Sequence, residues 1–84
     1  MYLHIGKDLI INKEEIIGIF NIESITETKE FNIIIESLRE KNCIQDISNG
    51  EKKTLILYKN SDKLYGVISN ISSISIGKRN NRKD

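Results

Sequence analysis

Ser24-Ile25-Thr26-Glu27-Thr28-Lys29-Glu30-Phe31-Asn32-Ile33-Ile34-Ile35-Glu36-Ser37-Leu38-Arg39-Glu40-Lys41-Asn42 is the stretch that decides the fold class. Phe31, Ile34, Ile35 and Leu38 recur at i, i+3, i+4 and i+7, which is the stripe of a helix with one buried face. Glu30, Glu36, Arg39 and Glu40 fall off that stripe. Ser24-Ile25-Thr26-Glu27 matches a capping box, in which hydroxyl and carboxylate satisfy free backbone N–H groups reciprocally. Asn42 tolerates the left-handed conformation that stops a helix. Together these signals predict one amphipathic helix over about residues 26–41.

Strand signals surround it. Tyr2-Leu3-His4-Ile5 and Leu9-Ile10-Ile11, separated by Gly6-Lys7-Asp8, read as a β-hairpin. Ile16-Ile17-Gly18-Ile19-Phe20 is β-branched enough for a strand, with Gly18 marking a bulge or close backbone approach. A short helix through Lys13–Ile19 is the competing reading, because Glu14 and Glu15 form helices well. Cys43-Ile44-Gln45-Asp46-Ile47 is a weak strand entering Ser48-Asn49-Gly50, a type I′ turn signal. Thr54-Leu55-Ile56-Leu57-Tyr58 reads as a strand buried on both faces. Asn60-Ser61-Asp62 then turns the chain into Lys63-Leu64-Tyr65-Gly66-Val67-Ile68, giving a second hairpin. Residues 69–77 fit a short capped helix with Ile71 and Ile74 inward. The expected fold is α+β: a small single domain over residues 1–77, with five to six short strands around one central helix and a short C-terminal helix. Residues 78–84 read as a basic, frayed tail.

Composition agrees with one core. The chain has 84 residues, 38% of them hydrophobic, and a net charge of +1, which argues against disorder. Ile, Lys and Asn are abundant and Ala is absent, a bias that AT-rich codons produce, so counts of Ile or Lys carry no functional weight. The lone Cys43 excludes an intrachain disulfide. No apolar run is long enough to span a membrane, and Met1 to Asp8 meets an acid too early for a signal peptide. The cytoplasm is the expected compartment.

The inventory argues against an enzyme. His4, the only His, stands in a strand with no nearby Cys to complete a ligand spacing. Cys43 follows a helix C-terminus, where the dipole opposes a thiolate. Glu14 and Glu15 are neighbours and, in a strand, would point to opposite faces. Gly6 and Gly50 belong to no phosphate-binding motif, so no cofactor is expected.

Charge is the more informative feature. Residues 1–40 carry four basic and eight acidic side chains, whereas residues 41–84 carry nine basic and four acidic ones. The +1 total therefore conceals −4 and +5. Lys52 and Lys53 leave the Asn49-Gly50 turn, and Lys78, Arg79, Arg82 and Lys83 crowd the C-terminal end. Loop and helix-end cations of this kind can hold a nucleic-acid backbone. Aromatic stacking is not expected, because Tyr2, Phe20, Phe31, Tyr58 and Tyr65 stand at core-like positions. Short strands with no Pro leave edges open to pairing between copies, and repeated contacts would multiply a weak basic site.

Met1-Tyr2-Leu3-His4-Ile5-Gly6, Glu14-Glu15-Ile16-Ile17-Gly18-Ile19-Phe20-Asn21-Ile22-Glu23-Ser24, and Tyr65-Gly66-Val67-Ile68-Ser69 with Ser72-Ser73-Ile74-Ser75-Ile76-Gly77-Lys78-Arg79 resemble the extracellular-matrix (biofilm) regulator family, RemA and RemB. The Met-Tyr-x-His start and the Ser-rich, Lys-Arg-ended stretch bring the RemB branch nearer. The resemblance implies a cytoplasmic bacterial transcription regulator with a LytTR-like fold, assembled as a ring-like homo-oligomer that carries DNA on its outer surface. RemA-like members contact DNA through arginines. One stands before the third strand's apolar run, and a pair follows the Gly of the central turn. The matching positions here are Glu15, Glu51 and Lys52, and only Lys52 keeps the charge.

Two readings follow from these features. The first is a homo-oligomer gripping duplex DNA through Lys52, Lys53, Lys78, Arg79 and Arg82. The alternative is an assembly module of the same family without intrinsic DNA binding, favoured by Glu15, Glu51 and the acidic and basic halves.

Overall fold

Thr54–Asn60 (β5) and Lys63–Ser69 (β6) form the centre of the computed structural model, which describes residues 2–7, 9–26 and 28–80. Thr54 to Leu57 are all buried, as a strand apolar on both faces requires. The strands join through Ser61 and Asp62, whose φ angles of 52° and 66° match the right-handed twist of a tight hairpin. β3 (Ile16–Asn21) pairs antiparallel with β5, and β4 (Ile44–Asp46) pairs parallel with β6, giving the order β3-β5-β6-β4. β1 (Tyr2–Gly6) and β2 (Leu9–Asn12) make a separate antiparallel pair.

Three layers result. The β1–β2 hairpin lays Leu3, Ile5 and Ile11 against Ile56 and Val67, together with Ile76 of α3 (Ser73–Asn80). On the other face, α1 (Ile22–Ile25) and α2 (Lys29–Glu40) bring Ile22, Ile35 and Leu38 onto Leu55, Leu57 and Ile68. Gly66 lets α2 approach closely, since a Cβ there would stand 2.9 Å from Leu38 Cδ1. Two buried hydroxyls tie the layers. Ser69 Oγ donates to the Ile5 carbonyl at 2.6 Å and accepts from Ile71 N at 3.1 Å, and Thr54 Oγ1 donates to the Ile71 carbonyl at 2.6 Å. The chain is a small compact α+β domain with six strands in two sheets and three α-helices among the described residues.

Several local expectations hold. The stripe of α2 is buried or half-buried, and Asn42 is left-handed at φ 56°. Cys43 N reaches Leu38 O at 2.8 Å and Asn42 N reaches Arg39 O at 3.1 Å, the paired closure of a Schellman stop. The bulge beside Gly18 is present: register passes from Ile16↔Tyr58 to Gly18↔Leu57, leaving Ile17 as the extra residue. Both readings of residues 13–19 hold in part. Lys13–Glu15 form one 3-10 turn, capped by Asn12, and the strand follows it.

Other expectations are corrected. The helix begins later than residue 26. Thr28 caps α2 by accepting from Phe31 N at 3.1 Å, while Ser24 lies inside α1, capped by Asn21. Ile22 N is bonded to Lys53 O at 3.0 Å, so a first helical turn forms directly off β3 and α2 starts anew beyond it. Glu27 of the expected capping box lies outside the described residues. In α3 the inward residue is Ile76, which is buried, while Ile74 is 71% exposed. Residues two apart on a helix point to nearly opposite sides, so burying one turns the other out. Ile71 precedes the helix and is half-buried. Tyr2 is 67% exposed on the outer face of its hairpin rather than in the core. α3 also carries the helix through residues 78–80, whereas residues 81–84 lie outside the described ones.

Candidate nucleic-acid interface

The loop from β4 to β5 is built on a carboxylate. Asp46 Oδ1 accepts from both the amide and the hydroxyl of Ser48, at 2.9 and 2.5 Å. Glu51 N then closes on Ser48 O at 3.1 Å across Asn49 (φ 54°) and Gly50 (φ 91°), a type I′ backbone. It does not join hairpin partners, because β4 runs parallel to β6. The far end of the loop is pinned as well: Lys53 N donates to Ser69 O at 3.0 Å and Lys53 O accepts from Ile22 N. The backbone carrying Lys52 and Lys53 is therefore held at both ends.

That placement sets the two lysines against the start of α3. Lys52, Lys53, Asn21, Glu23, Ser73 and Ile74 line a cleft of about 300 Å³. Ser72 Oγ accepts from Ser75 N at 3.2 Å, satisfying one amide of the first turn, and the positive end of the helix dipole faces the same space. Lys78 is exposed one turn beyond Ile74, so it extends the same side of the helix. Arg79 is the next residue of α3, and Arg82 lies outside the described residues.

Acidic groups temper this cluster. Lys52 Nζ lies 3.9 Å from Asp46 Oδ2, with both side chains about half exposed, so the pair leaves Lys52 free to turn toward a ligand. Glu23 lines the cleft, and Glu51 is exposed on the turn. The Ser48 hydroxyl and amide hold the Asp46 carboxyl below its usual range, with Lys52 and Lys7 adding to the effect against partial desolvation. Stability from such a group is present above its unfolded value near 3.8 and is lost as pH falls through the lower folded value. Asp46→Asn is therefore expected to make stability fall less between about pH 5 and pH 2 than it does in the parent. Urea midpoints across that window measure it, and equal acid slopes would contradict the assignment.

The three positions matched to DNA-contacting arginines do not meet within one chain. Glu15 precedes Ile16, which pairs with Tyr58, whereas Lys53 adjoins Thr54, which pairs with Asn21. The length of β3 separates them, about 17 Å at roughly 3.3 Å per residue. Lys52 lines the cleft, Glu51 is exposed on the turn just before it, and Glu15 stands at the opposite end of the sheet. His4 is an exposed strand residue bonded to the Lys7 carbonyl, and Cys43 is buried behind α2. Among the described residues no group of three His, Cys, Asp or Glu could hold a metal ion, and no helix is long and apolar enough to cross a membrane.

Sequence reasoning named the lysines but missed the cleft. Ser72-Ser73 before Ile74 was a usable signal for a helix start; the facing loop was not, because its anchors join residues far apart in the chain. Compared with known protein families and with curated proteins, the chain matches none.

Proposed function

We propose that this chain is a homo-oligomeric DNA-binding regulator of extracellular-matrix genes, of the RemA/RemB type, that grips backbone phosphates rather than reading bases. The observation that carries this reading is the pinned loop that brings Lys52 and Lys53 to the start of α3, with Lys78 one turn further on. Phosphate contacts need cations on a fixed backbone, and a helix start adds favourable dipole. Arg79 and Arg82 complete the set of five, and oligomerisation multiplies it along a duplex.

The experiment is duplex binding followed against salt. For each subunit whose five cations meet phosphates, the logarithm of affinity falls with the logarithm of salt by a further slope of about −4.5, so even one engaged subunit loses about 500-fold between roughly 50 and 200 mM. Lys52→Ala with Lys53→Ala is expected to cut the slope by about two fifths, to near −2.7 per engaged subunit, and to weaken every sequence alike. No binding at low salt by an intact oligomer would refute the reading.

A second reading, an assembly module without DNA affinity, draws on Glu23 inside the cleft and on Asp46 beside Lys52. It expects normal assembly and no DNA binding at any salt concentration.

A further inference from the structure

Away from the basic cleft, the molecule leaves two apolar features exposed at the β5–β6 turn end of the sheet. The first is a knob. The bulge in β3 turns Ile17 outward, where it is 58% exposed, and the preceding turn places Glu14 and Glu15 beside it. The second is a groove of about 530 Å³ between α2 and the start of β6. Ile33, Ile34, Leu38 and Leu64 give it apolar walls, and Lys41 and Lys63 stand on its rim. Ile33, off the stripe that faces the core, is 67% exposed.

We propose that the knob of one copy seats in the groove of another: Ile17 enters between Ile33 and Leu64, and Glu14 and Glu15 meet Lys41 and Lys63. The argument is complementarity of two kinds. An exposed branched side chain flanked by two carboxylates, with Lys59 alongside held by Asp62, faces an apolar groove flanked by ammonium groups, and apolar contact with a charged rim is the usual anatomy of an interface. The ion pairs among the described residues, Arg39–Glu36, Lys52–Asp46 and Lys59–Asp62, use none of these four charges. Asp62, also at the groove, is engaged by Lys59 at 3.9 Å. Because knob and groove are different patches, each copy offers one of each, so the contact repeats until it closes. It also gives a role to the acids at 14 and 15, which stand far from the phosphate cleft.

This inference rests on the homo-oligomeric part of the function proposed above. Its test is the mass of the full chain at micromolar concentration, by sedimentation. Ile17→Asp and Ile33→Asp, both at exposed positions, should each raise the dissociation concentration at least about tenfold. Far-UV circular dichroism confirms that each variant is folded. Mixing the two dissociated variants should yield a dimer and nothing larger, since one intact groove remains in the first and one intact knob in the second. Glu14→Lys with Glu15→Lys should weaken assembly, and adding Lys41→Glu with Lys63→Glu should restore it. A monomeric parent, variants that keep the parent's mass, or a mixture that stays monomeric would each overturn the contact. DNA binding is scored separately. Assembly without binding sinks the DNA-binding part of the function and leaves this contact standing, whereas binding by a monomer sinks this contact and the homo-oligomeric part and leaves the phosphate cleft standing.

Discussion

Ile56→Ala is expected to lower the unfolding free energy by about 4 kcal/mol, the upper part of the range for emptying a close-packed aliphatic site. Ile56 is 0% exposed, sits mid-strand in β5, and has Ile19 and Val67 as its partners in the neighbouring strands. The β1–β2 hairpin lies over it through Leu3, Ile5 and Ile11. Walls on every side restrict collapse into the cavity, which is why the loss should be large. A domain of 84 residues has a stability of only about 4–12 kcal/mol, so the variant should lose between about a third and all of it. Ile56→Val, which removes one methylene, should cost about 1 kcal/mol. Urea titrations of both variants measure the pair. Equal losses, or a loss for Ala below about 1.5 kcal/mol, would mean that the layers repack freely.

The second large effect is polar. Ser69→Ala is expected to cost about 3 kcal/mol, although it removes only one oxygen. Ser69 Oγ serves the Ile5 carbonyl and the Ile71 amide at once, in a fully buried place. Alanine leaves both backbone groups unpaired, each at roughly 1–3 kcal/mol. Ser37→Ala, at an exposed helix position, should change stability by less than about 0.5 kcal/mol. Comparable losses at the two serines would show that the buried tie does no more than a surface hydroxyl.

Features written in adjacent residues were legible in the sequence. The stripe of α2, Asn42 at its end, the bulge beside Gly18 and the Asn60-Ser61-Asp62 turn all follow from local geometry. The parallel pairing of β4 with β6 was not legible: three residues carry little pattern, and their partners lie more than 20 positions away. The capping box at Ser24 misplaced the helix start, because the bond between Ile22 and Lys53 sets off residues 22–25 as a separate turn and leaves Thr28 to cap α2. Ile71, Ile74 and Ile76 are spaced by three and then two, so the pattern fits Ile74 with Ile71 but leaves Ile76 on another side, and it could not choose which face of α3 turns inward. At the candidate site the cations were visible, but their meeting with α3 depended on bonds from Lys53 to Ser69 and Ile22. The split into −4 and +5 was arithmetic along the chain. In space the strands of the two halves interleave, and what survives is an acidic knob at one end of the sheet and a basic cleft at the other.

The Ser69–Ile5 bond joins residues 64 positions apart, and that span bears on the order of folding. The β1–β2 hairpin can form as soon as its 11 residues exist, yet every surface that covers it is made later. During synthesis Leu3, Ile5 and Ile11 therefore wait, apolar and uncovered, until β6 and α3 have left the ribosome. Docking of this hairpin waits on strands and a helix that follow it in the chain. A nascent chain stalled before Ser69 would display a sticky ribbon rather than a domain.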